Sequence, residues 1–155
     1  MTLRIARAHD VERMAELSDL KRTEYERFSP TFWRKAEGAV EGQKSFFRAL
    51  LERPNVVALV WDEGEVEGFI IGSVVPPPPV YNPGKNVCVV DDFVVSDSEL
   101  WPTVGVALLN AVRARAEVLG ARLLVVVCGH LDEPKRAMLR DGGFAVASEW
   151  YVNPA

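Results

Sequence analysis

Hydrophobic and polar positions follow two periods along this chain. LRIA at residues 3–6 alternates at period two and predicts a short strand. HDVERMAELSDLKRTEYERF follows, with Val11, Met14, Leu17, Leu20, Tyr25 and Phe28 recurring at three- to five-residue steps, the signature of a helix with one buried stripe. Asp10 is its expected N-cap. Residues 29–40 show no clean period, and GQKSFFRALLER reads as a second helix stopped by Pro54. NVVALVWDEGEVEGFIIGSVV predicts two strands joined by a tight turn at residues 62–64.

PPPPVYNPGK is a connector whose prolines cannot supply ladder donors. VCVVDDFVV has the apolar continuity of a buried strand, broken by Asp91 and Asp92. Residues 103–120 predict a helix closed by glycine, RLLVVVC a buried strand, DEPKRAMLRDGG a helix and FAVASEWYV a last strand. The order β-α-α-β-β-β-α-β-α-β predicts an α/β fold, with a mixed central sheet flanked by helices in a single domain over residues 1–155. The β-α-β unit over residues 87–128 is expected to be parallel and right-handed.

Composition bounds the function classes. Hydrophobic residues make up 48% and charged residues 26%, an ordinary globular balance for 155 residues. No apolar run reaches the roughly 20 residues that span a bilayer, and the first ten residues lack the apolar stretch of a secretory signal. The formal net charge of −4 argues against nucleic-acid binding through a broad basic face. Cys88 and Cys128 have no metal-ligand spacing and read as buried thiols in a reducing cytoplasm, so no metal site is expected.

Two stretches carry a more specific signal. In VVSDSELWPTVGVALLNAV, from residue 94, a strand runs through a loop into a helix, the arrangement in which helix N-termini hold anions. In DEPKRAMLRDGGF a helix ends on Gly143 and Phe144. Together with the element order, these resemble the GCN5-related N-acetyltransferase (GNAT) family, across the whole chain in topology and over residues 87–144 in motifs. That family's loop runs Gln/Arg-x-x-Gly-x-Gly/Ala, five residues after a strand-ending valine. Here Val95 is that valine and LWPTVG the loop, with Leu100 for Gln/Arg, Thr103 for the first glycine and Gly105 for the second. The family's Asn-x-x-Ala-x-x-x-Tyr-x-x-x-Gly-Phe places Asp132 at the asparagine, Lys135 at the alanine and Leu139 at the tyrosine.

The resemblance implies acetyl-CoA bound along Phe93, Val94 and Val95. Its pyrophosphate would lie on Leu100, Trp101, Pro102, Thr103, Val104, Gly105 and Val106, with Asp132 and Arg136 nearby. Backbone amides at a helix start attract an anion whatever the side chains are, although Pro102 lacks an N–H. The Thr103 hydroxyl has two uses open to it, a phosphate oxygen or the helix cap. No Lys or Arg occurs between Asn86 and Val112, so cationic help would come from Arg113, Lys135 or Arg136, the last two read as a solvated helix face.

Acetyl transfer to an amine needs a base for the amine and an acid for the departing thiolate. Asp91 and Asp92 lie on the strand that the resemblance sets beside the acetyl group. As neighbours on a strand they are expected to point to opposite faces. The family's acid, a tyrosine, is Leu139 here. Tyr81, Tyr151, Cys128 and His130 are the substitutes, with His130 able to titrate near neutrality.

The resemblance thus implies a cytoplasmic N-acetyltransferase acting by direct transfer from acetyl-CoA to an amine of a small molecule or peptide. Residues 20–50 and the proline connector would border the acceptor, where Glu24, Glu26 and Glu37 are compatible with a cationic amine. The alternative, motivated by Leu139 and the altered loop, is a CoA- or acyl-CoA-binding module without turnover. Few residues follow Phe144, so a partner chain could complete the sheet edge; with Trp150 and Tyr151 this is compatible with a homodimer.

Overall fold

The fold is that of a computed structural model describing residues 2–155. Five strands, β1 (Thr2–Ile5), β2 (Val56–Asp62), β3 (Val66–Val75), β4 (Asn86–Val95) and β5 (Ala121–Val126), lie in sequence order across one sheet. The first three pairings are antiparallel and β4–β5 is parallel. Helices α1 (Val11–Phe28) and α2 (Ala39–Leu51) cover one face, and α3 (Val106–Val118) with α4 (Glu133–Asp141) covers the other. Two apolar layers follow. Met14, Leu17, Phe47, Val60, Phe69, Ile71 and Val94 fill the α1–α2 side, while Leu59, Ile70, Cys88, Val90, Phe93, Leu108, Val112 and Leu139 fill the α3–α4 side.

The buried stripe of α1 is the one its period predicted, with Val11, Met14, Leu17 and Tyr25 inside. Asp10 holds the cap position without capping α1. Its carboxylate turns back to accept from the Arg7 N–H at 2.8 Å and from the Arg4 guanidinium at 2.8 Å. Burial alone would raise this carboxyl, but Arg4 and the Arg7 amide hold it below the usual carboxylate range. α2 starts three residues before the predicted stretch, after Gly38, whose φ of 72° suits glycine. The β2–β3 turn closes on Gly64 (φ 98°), with Asp62 Oδ1 accepting from its N–H.

Three expectations fail. The strand predicted to be buried at residues 122–128 leaves Leu123, Val125 and Val127 exposed, because it lies at the edge of the sheet. Residues 101–105 form one π-type turn before α3, so the predicted helix is reached through a wider ring. Among the described residues no strand forms after α4. The stretch from Phe144 onward joins no ladder, because a strand exists only where a neighbour satisfies its backbone. The observed order is therefore β-α-α-β-β-β-α-β-α. Among the described residues no helix is long and apolar enough to cross a membrane.

Candidate functional site

The site begins with an interruption in β4. Pairing with β3 passes from Asp92↔Ile71 directly to Val90↔Gly72, so Asp91 is an extra residue, a β-bulge. On one side of the bulge β4 pairs with β5, up to Val90 O accepting from the Val127 N–H at 3.0 Å. On the other side, residues 92–95 pair with β3 alone, and the two parallel strands part into a fork. Phe93 O turns into this fork, where it accepts from Lys135 Nζ at 3.1 Å. Antiparallel pairing alternates the direction of backbone groups, so the N–H and C=O of Phe93 and Val95 share that orientation. The result is a short free strand edge, able to pair with the amides of an extended ligand.

Past Val95 the chain reaches the start of α3. Asp97 Oδ1 accepts from the Glu99 N–H, and the Trp101 N–H bonds Ser98 O. Pro102 has no donor, which leaves the amides of Thr103, Val104 and Gly105 as first-turn donors. The indole of Trp101 is buried edge-on against Phe93, with ring centroids 4.9 Å apart. A Cβ on Gly105 would lie 2.7 Å from that indole, so glycine here lets Trp101 fold under the turn. The Thr103 hydroxyl donates to Leu100 O at 3.4 Å, which leaves its oxygen free as an acceptor.

The first turn of α4 closes the fork. Lys135 is not on a solvated face: it is 1% exposed, with its ammonium 5.2 Å from the Phe93 ring centre and 5.3 Å from that of Trp101. Burial pulls it down to about 7, and Lys21 pushes the same way. Asp132 is likewise buried and committed. Its Oδ2 accepts from the Tyr25 hydroxyl at 2.6 Å and its Oδ1 from the Lys135 N–H at 3.5 Å. The Tyr25 oxygen in turn accepts from the Gly129 N–H at 3.1 Å, tying α1 to the end of β5. Burial and the neighbouring Asp132 carboxylate push the Tyr25 phenol up.

The bulge also corrects the reading of the two aspartates. Asp91 is exposed; Asp92 lies on the α1 face with Val94, half-buried. Burial holds the Asp92 carboxyl above its ordinary value, against the opposing pull of Lys21. His130 and Tyr81 are exposed, Tyr81 far out in the connector at 71%. Arg136 bonds His130 O and lies beside Glu133, while Arg113 sits over the Phe144 ring. Leu139 packs in the core, and Tyr151 is an exposed partner of Glu149. Burial raises the Cys128 thiol. Tyr25 was missed as a site residue, and Lys135, named as a source of charge, was placed on the wrong side of its helix. Lys135 shares a helix face with Met138 and Leu139, and that spacing was the available signal. Among the described residues no cluster of three His, Cys, Asp or Glu could hold a metal ion.

No protein-family model matches the sequence, and no curated protein sequence does. The structure, however, is similar to many solved ones. A crystal structure of a point mutant of the BH1408 protein from Bacillus halodurans superposes with a TM-score of 0.86 at 16% identity, covering 100% of this chain and 99% of that one. A ribosomal-protein-alanine N-acetyltransferase from Brucella melitensis biovar Abortus gives 0.67 at 18% identity, covering 100% of both chains. The aminoglycoside N-acetyltransferase AAC(6')-Iy, in complex with CoA, gives 0.73 at 13% identity, over 99% of this chain and 93% of that one. The fold is the GNAT acetyltransferase fold.

Proposed function

We propose that this protein transfers the acetyl group of acetyl-CoA to an amine by direct attack. The observation that carries the reading is the fork: a free strand edge at Phe93 and Val95 leads to the open first turn of α3. The edge suits the amides of a pantetheine arm, and the first-turn amides suit a pyrophosphate without any cationic side chain. The sharing of this fold with an N-acetyltransferase crystallised with CoA supports the same choice of ligand.

In this reading Asp92 takes the proton from the acceptor amine. Its half-buried setting raises its carboxyl above the ordinary value, which strengthens it as a base. The amine nitrogen bonds the carbonyl carbon, the carbon–sulfur bond breaks, and Lys135 supplies the proton to the thiolate. Lys135 is the donor inside the fork, whereas Tyr81 and His130 lie outside it on exposed segments.

The second reading, a CoA-binding module without turnover, is favoured by Leu139, which packs in the core where the resemblance implies an acid. In either reading a pantetheine amide displaces Lys135 Nζ from Phe93 O. Calorimetric titration with acetyl-CoA, followed by a thiol-release assay over a panel of amines, tests both. Binding with amine-dependent thiol release supports transfer. Binding without release, tightened by Lys135→Met, supports the module. No heat at millimolar ligand sinks both.

A further inference from the structure

Along the inner face of α1 the chemistry changes where the helix crosses β4. Val11, Met14 and Leu17 pack into the layer that holds Val94. The following turn presents Ser18, Lys21 and Arg22 instead, on the side of β4 where Asp92 lies. Burial raises the Asp92 carboxyl; Lys21, Lys135 and Arg22 pull it back, while Asp91 adds to the rise. Two cations of α1 therefore act on the residue assigned as base.

Among the described residues the buried side-chain polar atoms without a hydrogen-bond partner are the Ser18 hydroxyl oxygen and Nε and Nη2 of Arg22, one helical turn apart. Arg22 Nη1 is committed to Gln43 Oε1 at 2.6 Å. Asp19 Oδ1 stands 3.6 Å from Nη2, outside hydrogen-bond reach, and Lys35 also draws it at 3.4 Å. Nε and Nη2 are the side-on edge of a guanidinium, whose parallel N–H groups match the two oxygens of a carboxylate. The same edge of Arg4 is filled, since its Nε and Nη2 both donate to Asp62 Oδ2, at 3.2 and 2.9 Å. Buried charged donors without a partner are costly, so the unpaired edge of Arg22 calls for a carboxylate from outside the chain. Lys21 stands beside it: its ammonium lies 5.2 Å from the centre of the Tyr25 ring and makes no ion pair among the described residues. The glutamates expected on the acceptor side do not offset these cations. Glu24 and Glu37 are exposed, and Glu26 accepts from the Lys35 N–H at 2.6 Å.

We infer that the acceptor is a small zwitterion of the amino-acid class, with its carboxylate on the Nε–Nη2 edge of Arg22 beside Lys21 and its amine at Asp92. The inference rests on the transfer reading, which makes Asp92 the base that meets the amine. The two ends of one molecule then meet opposite charges on α1 and β4, whereas an amine without the carboxylate faces two unmatched cations.

Thiol release from acetyl-CoA is compared for a panel of L-amino acids and for the amine each becomes without its carboxylate. The amino acids should exceed their counterparts about 10–100-fold in kcat/KM, and Arg22→Met and Lys21→Met should each lower that ratio about tenfold. Both members of a pair use the same Asp92 and Lys135, so any effect of the lost charge on those groups cancels in the ratio. Both side chains are part-exposed and methionine favours helix, so the fold is kept. Calorimetric titration of the same pairs in the presence of excess CoA reads the carboxylate site without turnover. Carboxylate-dependent binding that Arg22→Met abolishes, with no release from any pair, upholds that site and ends the transfer reading. Equal release from both members of a pair, or a preference that survives both substitutions, overturns the inference and leaves transfer standing. Neither binding nor release with any pair overturns both.

Discussion

Replacing Lys135 with methionine tests the central feature of the site, because it keeps the length of the side chain and removes the ammonium. The fold holds this amine at about 7 against an ordinary 10.5. Burial is the largest cause and Lys21 the next, with Cys128, Asp132 and Asp91 pulling back. Between those two values the unfolded chain carries a proton that the folded chain has released, so stability rises with pH across that window. The penalty grows as pH falls through 10.5 and is complete below about 7, where it amounts to roughly 5 kcal/mol at most. The bond to Phe93 O and the contacts with the two ring faces are lost with the ammonium, which holds the gain below that ceiling. Lys135→Met should therefore be more stable than the parent by roughly 3–5 kcal/mol at pH 6, with the gap narrowing to about 1–2 kcal/mol by pH 9. Urea unfolding followed by tryptophan fluorescence suits the purpose, since Trp101 lies against Lys135. Taking the difference between the two proteins at each pH cancels the opposite alkaline drift of Cys88, whose thiol burial raises to about 11. A variant no more stable than the parent at pH 6, or a gap that does not change with pH, would refute the placement of this lysine as a buried cation.

Three further outcomes follow from the same geometry. Tyr25→Phe leaves the Gly129 N–H and the Asp132 carboxylate each short of a partner, at a cost of about 1–3 kcal/mol; a thermal midpoint equal to the parent's would show that neither depends on the phenol. Gly105→Ala sets a methyl 2.7 Å from the Trp101 ring, and should cost about 1–3 kcal/mol together with a shift in Trp emission; an unshifted spectrum at parental stability would contradict that contact. Asp92→Asn should lower amine-dependent thiol release about 10²–10⁴-fold while leaving the protein at least as stable at neutral pH. The stability follows because a raised carboxyl costs the fold progressively as pH climbs above 3.8, and the amide removes that cost. Exposed Asp91→Asn should leave turnover near the parent's, and equal loss in both variants would remove Asp92 from its assigned role.

The periods of the sequence placed the helices and the five strands because burial on a single face imposes them, and because Pro54, Gly64 and Gly120 punctuate the chain. What period cannot show is a change of phase. The extra residue at Asp91 reverses which face its neighbours take, yet in VVDDFVV the two aspartates interrupt the apolar run without revealing that change of phase. The π-type turn at residues 101–105 is hidden for a similar reason: it depends on the indole of Trp101 needing the space that Gly105 leaves. Lys135 was read from its charge and assigned to solvent, when its spacing to Met138 and Leu139 already put it inside. The tail is a different case. FAVASEWYV has strand composition, but a strand is a relation between two segments, and the sequence of one segment does not say which chain holds the other.

The fork itself is a physical liability. Where β4 leaves β5, the amides and carbonyls of Phe93 and Val95 lose a ladder partner at a level of the sheet that water barely reaches, for Phe93 is fully buried and Val95 nearly so. An unpaired buried backbone group costs about 1–3 kcal/mol. The bend that opens the fork is held by packing, since a side chain at Gly72, opposite the bulge, would lie 2.6 Å from Cys88 Sγ and 3.1 Å from Val112. Closing the fork would therefore need the core behind it to rearrange. The chain offsets the cost instead with a donor drawn from α4, the ammonium of Lys135, whose own burial is unfavourable. In the proposed function that edge exchanges one hydrogen-bond partner for another: an extended ligand carrying amides would take the place of Lys135 Nζ and restore the ladder.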